Sequence, residues 1–183
     1  MNKIAWEIII IVIVILTGLY LWGSNRSEIV VDHFTFTQSK GSVNYSIDLP
    51  LGWFAHENGP SVIFTQSEEL DIPQNTELYA IGPNFYITVN SLTDIEGITT
   101  FREWLDINGM TGKSELFISS EMVEINGKEM LRVLTEGAGV GGNVLHYLYL
   151  ANLKDFVTLS QFPFDPETEI SQVFEDVVKT FES

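Results

Sequence analysis

The spacing of hydrophobic positions changes along the chain, and each change predicts a different kind of element. From Ile4 to Trp22 the run IAWEIIIIVIVILTGLYLW is almost unbroken, interrupted only by Glu7 near its start, and it ends at the polar break Gly23-Ser24-Asn25-Arg26. At about 1.5 Å per residue such a helix reaches roughly 28 Å, close to the roughly 30 Å hydrocarbon thickness of a bilayer. Ile and Val favour strands in water, but in lipid an isolated segment satisfies its backbone groups only as a helix. The pattern therefore predicts a short tail over 1–3, a transmembrane helix over 4–22, a linker over 23–29 and a folded domain over 30–183. Glu7 lies within reach of one headgroup layer, and Trp6, Tyr20 and Trp22 suit the two interfacial belts.

Past the linker the period falls to two. Val30 to Thr37 reads as a strand with Phe34 and Phe36 on one face, Lys40-Gly41-Ser42 as a turn, and Val43 to Leu49 as a second strand that Pro50 to Trp53 ends. Ser61 to Gln66 and Phe85 to Asn90 make two more, separated by an acidic loop over 67–77. Thr100 and Glu103 then have the spacing of a capping box, and Phe101, Trp104 and Leu105 share a face, which predicts a short helix over 100–109. Leu116 to Ile125 and Lys128 to Glu136 flank Asn126-Gly127, a pair that tolerates the positive φ of a tight hairpin turn. After the glycine-rich stretch 137–142, Val144 to Leu150 is apolar on both faces and belongs mid-sheet; Phe156 to Phe162 follows. The closing helix is expected to begin with Asp165 as cap and Pro166 in the first turn, burying Ile170, Phe174, Val177, Val178 and Phe181. Four strands, a helix, four strands and a helix predict an α+β domain on an antiparallel sheet.

Composition adds address and exclusions. From Ser27 onward 7 Lys and Arg face 24 Asp and Glu, which argues against nucleic acid as a partner and favours solubility beside a membrane. A segment with so few basic residues is expected to cross, which places the amino terminus inside and the acidic domain on the extracytoplasmic side of a single-pass protein. A cleaved signal and a pilin-type leader are the competing readings of the apolar run. Bulky Leu19-Tyr20-Leu21-Trp22 stands where a cleavage site needs small residues, and Asn2 stands where a pilin leader carries glycine. The absence of cysteine closes the lipoprotein route, disulfides and thiolate chemistry.

Tyr45-Ser46-Ile47-Asp48-Leu49-Pro50-Leu51-Gly52-Trp53, then Val62-Ile63-Phe64, Phe85 to Val89, the Asn126-Gly127 hairpin, the paired strands Val144–Leu150 and Phe156–Gln161, and Phe174 to Phe181 together resemble the PsbP family over roughly 40–183. The resemblance implies an α-β-α sandwich around an antiparallel sheet, a fold shared with Ran-binding nuclear-import factors. In the strand ending Leu-Pro-x-Gly-Trp it also implies a chain reversal that folds Trp53 back on the sheet. Photosystem members of that family are soluble lumen proteins, whereas this chain carries an apolar run and is more acidic, so it looks like a bacterial member of unassigned activity.

Candidate chemistry is sparse, and the sequence assigns no catalytic, cofactor-binding or metal-ligating residue. Gly137 to Gly142 spells G-x-G-x-x-G, but a strand pattern follows where a dinucleotide site needs a helix. His33, His56 and His146 lie on separate segments without ligand spacing, and His146 reads as a satisfied sheet histidine. Glu68, Glu69 and Asp71 read as a solvated loop without the ordered spacing of a calcium loop. The expectation is a non-enzymatic, membrane-tethered interaction domain that meets another envelope protein. A small-ligand or divalent-cation binder, and a hydrolase using an acid with a histidine, are the alternatives.

Overall fold

A computed structural model describes residues 33–69, 84–94, 96–137 and 141–183. The expected membrane helix over 4–22, the linker over 23–29 and most of the acidic loop lie outside the described residues. Among the described residues no helix is long and apolar enough to cross a membrane.

Turn chemistry decides the pairing. Asn126 and Gly127 take φ of 51° and 73°, so β6 (Phe117–Ile125) and β7 (Lys128–Glu136) close on a two-residue turn with Ile125 opposite Lys128. β7 pairs with β8 (Asn143–Leu150), and β8 with β9 (Asp155–Phe164), all antiparallel. β9 then pairs with β5 (Asn84–Ser91), β5 with β4 (Ser61–Thr65), and β4 with β3 (Phe54–Asn58). The seven-stranded order is β3-β4-β5-β9-β8-β7-β6, while β1 (His33–Lys40) and β2 (Val43–Pro50) form a separate two-stranded sheet. β8, apolar on both faces, is mid-sheet as its sequence predicts.

Three features correct the sequence reading. β3 fills a stretch, Phe54-Ala55-His56-Glu57-Asn58, that carries no hydrophobic strand signal. It is an edge strand with its alternate residues exposed, so pairing with β4, rather than burial, holds it. The first two strands do not join the main sheet; they form a hairpin laid on its face. The closing helix, α2 (Glu169–Lys179), starts later than expected, because Thr168 rather than Asp165 is its cap, accepting from the Ser171 amide at 3.3 Å. Asp165 instead opens a turn by accepting from the Glu167 amide at 3.0 Å, and Pro166 lies within that turn.

The alternating parity of strand residues builds two cores. On one face Phe64, Phe85, Leu145, Tyr147, Val157 and Leu159 pack under α2 and the β1–β2 hairpin, joined by Tyr45, Ile47, Leu49 and Phe174. Trp53 turns back as the Leu-Pro-x-Gly-Trp motif implies, its ring 4.9 Å from that of Phe85. Phe36 meets Phe64 edge-on at 5.3 Å, and paired 2.9 Å bonds between Ser46 and Glu182 fasten the carboxyl-terminal segment to β2. The opposite face carries the smaller core, Val133, Leu148 and Phe156 beneath Trp104 and Leu105 of α1 (Phe101–Ile107). Helix α1 begins where predicted: Thr100 accepts from the Glu103 amide, and the Glu103 carboxylate accepts in return from the Thr100 amide.

Candidate functional site

Seven residues make a helix only about 10 Å long. That covers one part of the sheet, and among the described residues no other helix covers the rest of the same face. Over the uncovered part the inward positions turn polar: Thr88 and Asn90 on β5, Thr158 and Ser160 on β9, His146 on β8, and Thr135 on β7. They floor a pocket of about 220 Å³, walled by Tyr86, Trp104, Met110, Leu116 and Val144, with Glu136 exposed at its rim.

Register brings these side chains together. Tyr86, Ser160, His146 and Val133 sit opposite one another across β5, β9, β8 and β7, and Thr88 faces Thr158 in the next row. Directly opposed side chains on neighbouring strands are within hydrogen-bond reach. His146 Nδ1 lies 2.8 Å from Ser160 Oγ, and its Nε2 lies 3.4 Å from Thr135 Oγ1. Asn90 Nδ2 donates to Thr158 Oγ1 at 3.2 Å and to the Thr88 carbonyl at 3.3 Å, while Thr88 and Ser61 hydroxyls are 2.7 Å apart. Burial pushes the His146 imidazole down to about 4, so at neutral pH the ring is uncharged, with one donor and one acceptor nitrogen.

No protein-family model matches the chain, and neither does any curated protein. Among solved structures, the solution structure of cyanobacterial PsbP (CyanoP) from Synechocystis sp. PCC 6803 matches with a TM-score of 0.51 at 13% identity, covering 85% of this chain and 95% of that one. The fold is PsbP-like. A crystal structure from Bacteroides thetaiotaomicron VPI-5482 matches with a TM-score of 0.42 at 16% identity; it covers 76% of this chain, which in turn spans 44% of that structure.

The residues weighed from sequence are dispersed on this PsbP-like scaffold. His33 is exposed at the start of β1. His56 lies on the edge strand β3, its Nε2 3.0 Å from the Ser67 carbonyl and 3.3 Å from Thr65 Oγ1. Only His146 reaches the pocket, as a buried and hydrogen-bonded sheet histidine. Glu68 and Glu69 are exposed, Asp71 lies outside the described residues, and among the described residues no three His, Asp or Glu side chains group as metal ligands. Of the glycine-rich stretch, Gly137 donates its amide to the Gly142 carbonyl at 2.7 Å, and a strand, β8, follows. The pocket floor itself escapes a motif search. Its one signal in the sequence is parity: Thr88 and Asn90, Thr158 and Ser160, His146, and Thr135 share one face of strands whose other face carries Phe85, Ile87 and Val89, Val157 and Leu159, Leu145 and Tyr147, and Met130 and Leu134.

Proposed function

We propose that this chain is a non-catalytic, ligand-binding member of the PsbP family, whose binding site is the pocket beside α1. The observation that carries the reading is the polar floor itself. Polar side chains set into the middle of a sheet gain nothing for the core, and a concave site with apolar walls and a few converging polar groups is the usual form of a small-molecule pocket. Ser160 and His146 have the pairing of a nucleophile and its base, but three features favour binding over acyl transfer. The second imidazole nitrogen faces a hydroxyl where a triad would place a carboxylate. A ring pushed down to about 4 is a weak base at neutral pH. Ser160 and His146 sit opposite each other in the paired β8–β9 ladder, and β9 is paired on its other side with β5, so the backbone beside Ser160 is engaged in the sheet where an acyl-transfer site would hold an oxyanion.

Fragment screening by ligand-observed NMR on the full-length protein in detergent tests the reading. Binders are expected, and Thr158→Phe, which fills the pocket, should abolish them while leaving the circular dichroism spectrum unchanged. Binders that survive this substitution would move the site elsewhere. The apolar run over 4–22 supports a tethered arrangement, with the amino terminus inside and the domain on the extracytoplasmic side. A carboxyl-terminal reporter active only in the cytoplasm should stay dark, and a signal from it would reverse the orientation. The excess of Asp and Glu supports an envelope protein with a basic surface as a further partner, which in-cell crosslinking would capture.

A further inference from the structure

Building on the ligand-binding reading above, we infer that the pocket takes a neutral, ring-sized molecule, with carbonyl or ring-nitrogen acceptors turned to the hydroxyl floor and its ring between the Trp104 and Tyr86 walls. Three properties of the pocket lead there: its charge, its hydrogen-bond arithmetic and its size.

Charge comes first. Among the described residues no lysine or arginine lines the pocket, and its ionisable side chains other than Tyr86 are Glu136 at the rim and His146 in the floor. A carboxylate or phosphate entering would lose water with no cation to replace it, at a cost of several kcal/mol. The chain's net charge of −16 opposes the approach of any anion as well.

The hydrogen-bond arithmetic then separates a neutral acceptor from a cation. A neutral imidazole flanked by two hydroxyls gives one hydrogen and receives one. In either tautomer, therefore, one of Ser160 and Thr135 donates to the ring, while the other receives the ring N–H and keeps its own hydrogen for a third partner. Thr158 accepts from Asn90, so its hydroxyl hydrogen is also available to the pocket. Thr88, which shares one bond with Ser61 outside the pocket lining, adds a further hydrogen where it is the acceptor. The floor thus presents hydroxyl hydrogens as well as lone pairs. A metal ion or ammonium has nothing to accept them, whereas a carbonyl or a ring nitrogen has.

Size fixes the remainder. A space of about 220 Å³ corresponds to about seven waters at roughly 30 Å³ each, which a five- or six-membered ring with one or two substituents replaces. Trp104 and Tyr86 present aromatic surface for such a ring.

The test uses three small probes on the full-length protein in detergent: nicotinamide and 2-pyridone as neutral acceptors, and nicotinate, which keeps the ring and replaces the amide with a carboxylate. Fragments of this size bind at about millimolar Kd. Binding is read from the indole N–H resonance of Trp104, assigned with Trp104→Phe. The neutral probes are expected to shift that resonance, with nicotinate at least about tenfold weaker. Thr158→Val keeps shape and removes one donor, and should weaken the neutral probes by about fivefold; one of Ser160→Ala and Thr135→Val, whichever removes the hydroxyl that receives the ring N–H, should do likewise. Nicotinate binding as tightly as nicotinamide would overturn the inference about charge and leave the pocket a binding site. Unchanged affinity in all three variants would overturn the acceptor assignment. Silence at Trp104 from every probe, at concentrations well above a millimolar Kd, would overturn both this inference and the binding reading.

Discussion

Burial holds the His146 ring near 4, far below the ordinary histidine range, because the strand on either side and the floor around it exclude water from the charged form. In the unfolded chain the same ring takes a proton below about pH 6.5. Between about pH 6.5 and 4 the unfolded state therefore binds the proton that the folded state refuses, and stability falls as pH falls. The loss from this one group should be about 1 kcal/mol between pH 7 and 5.5 and about 3 kcal/mol by pH 4. Urea unfolding of the full chain at the two higher pH values reads it before most carboxylates titrate, and His146→Leu should remove this part of the slope. Gly137 makes the second argument at this scale. A Cβ there would stand 2.8 Å from Cε2 of Phe162 and 3.1 Å from the Gly142 carbonyl, so Gly137→Ala should lower stability by about 1–3 kcal/mol in thermal melts. Neither effect is legible in sequence. The letters show a histidine in an apolar strand and a glycine in a loop, but not the Ser160 hydroxyl or the Phe162 ring, which arrive from β9.

Elements that depend on neighbours in sequence are the ones the sequence predicts well. The capping box of Thr100 and Glu103 and the Asn126-Gly127 turn are set within a few residues, and the structure keeps both. Asn126 also does something that only the fold reveals: its side-chain amide donates to the Lys179 carbonyl at 2.8 Å and to the Phe181 carbonyl at 3.3 Å, capping the end of α2. Two substitutions separate the roles. Asn126→Gly keeps the positive φ and loses the cap, while Asn126→Ala loses the cap and adds left-handed strain of about 1–2 kcal/mol. The alanine variant should therefore unfold at clearly lower urea than the glycine one. On α2 itself, Phe174 is fully buried, its ring 5.5 Å from Phe85 and 6.0 Å from Tyr147. Phe174→Ala should cost about 3–5 kcal/mol in the same unfolding assay. The start of α2 is misread from sequence because Asp165 and Thr168 both have cap chemistry. The contest is decided by Ser171, whose hydroxyl accepts from the buried Gln161 amide of β9 at 2.9 Å and from the Asp165 amide at 3.2 Å.

For the whole molecule, residues 32–183 group as one compact unit holding both cores, so deletion of residues 1–26 should leave a soluble protein with an unchanged melting temperature. A lowered melting point would show that the apolar run contributes to the stability of the domain. Long-range ties support a unit of that extent. Ser42 and Asn152 both donate to Asp155 and hold its carboxylate down to about 2, joining the β1–β2 turn to the start of β9. The sequence alone determined the α+β class, the order of nearly every element and the tight hairpin turn, while its resemblance to the PsbP family implied the Leu-Pro-x-Gly-Trp reversal. Periodicity, capping and turn propensity act over a few residues, and one chain displays them in full. The tertiary structure decided which strands become neighbours, that the first hairpin lies on the sheet instead of in it, that β3 exists, and that a pocket opens beside α1. Those outcomes depend on pairing between segments tens of residues apart and on how far a seven-residue helix can reach over a seven-stranded sheet. A hydroxyl, an amide and an imidazole scattered along the sequence become one polar floor only when β5, β9, β8 and β7 lie side by side.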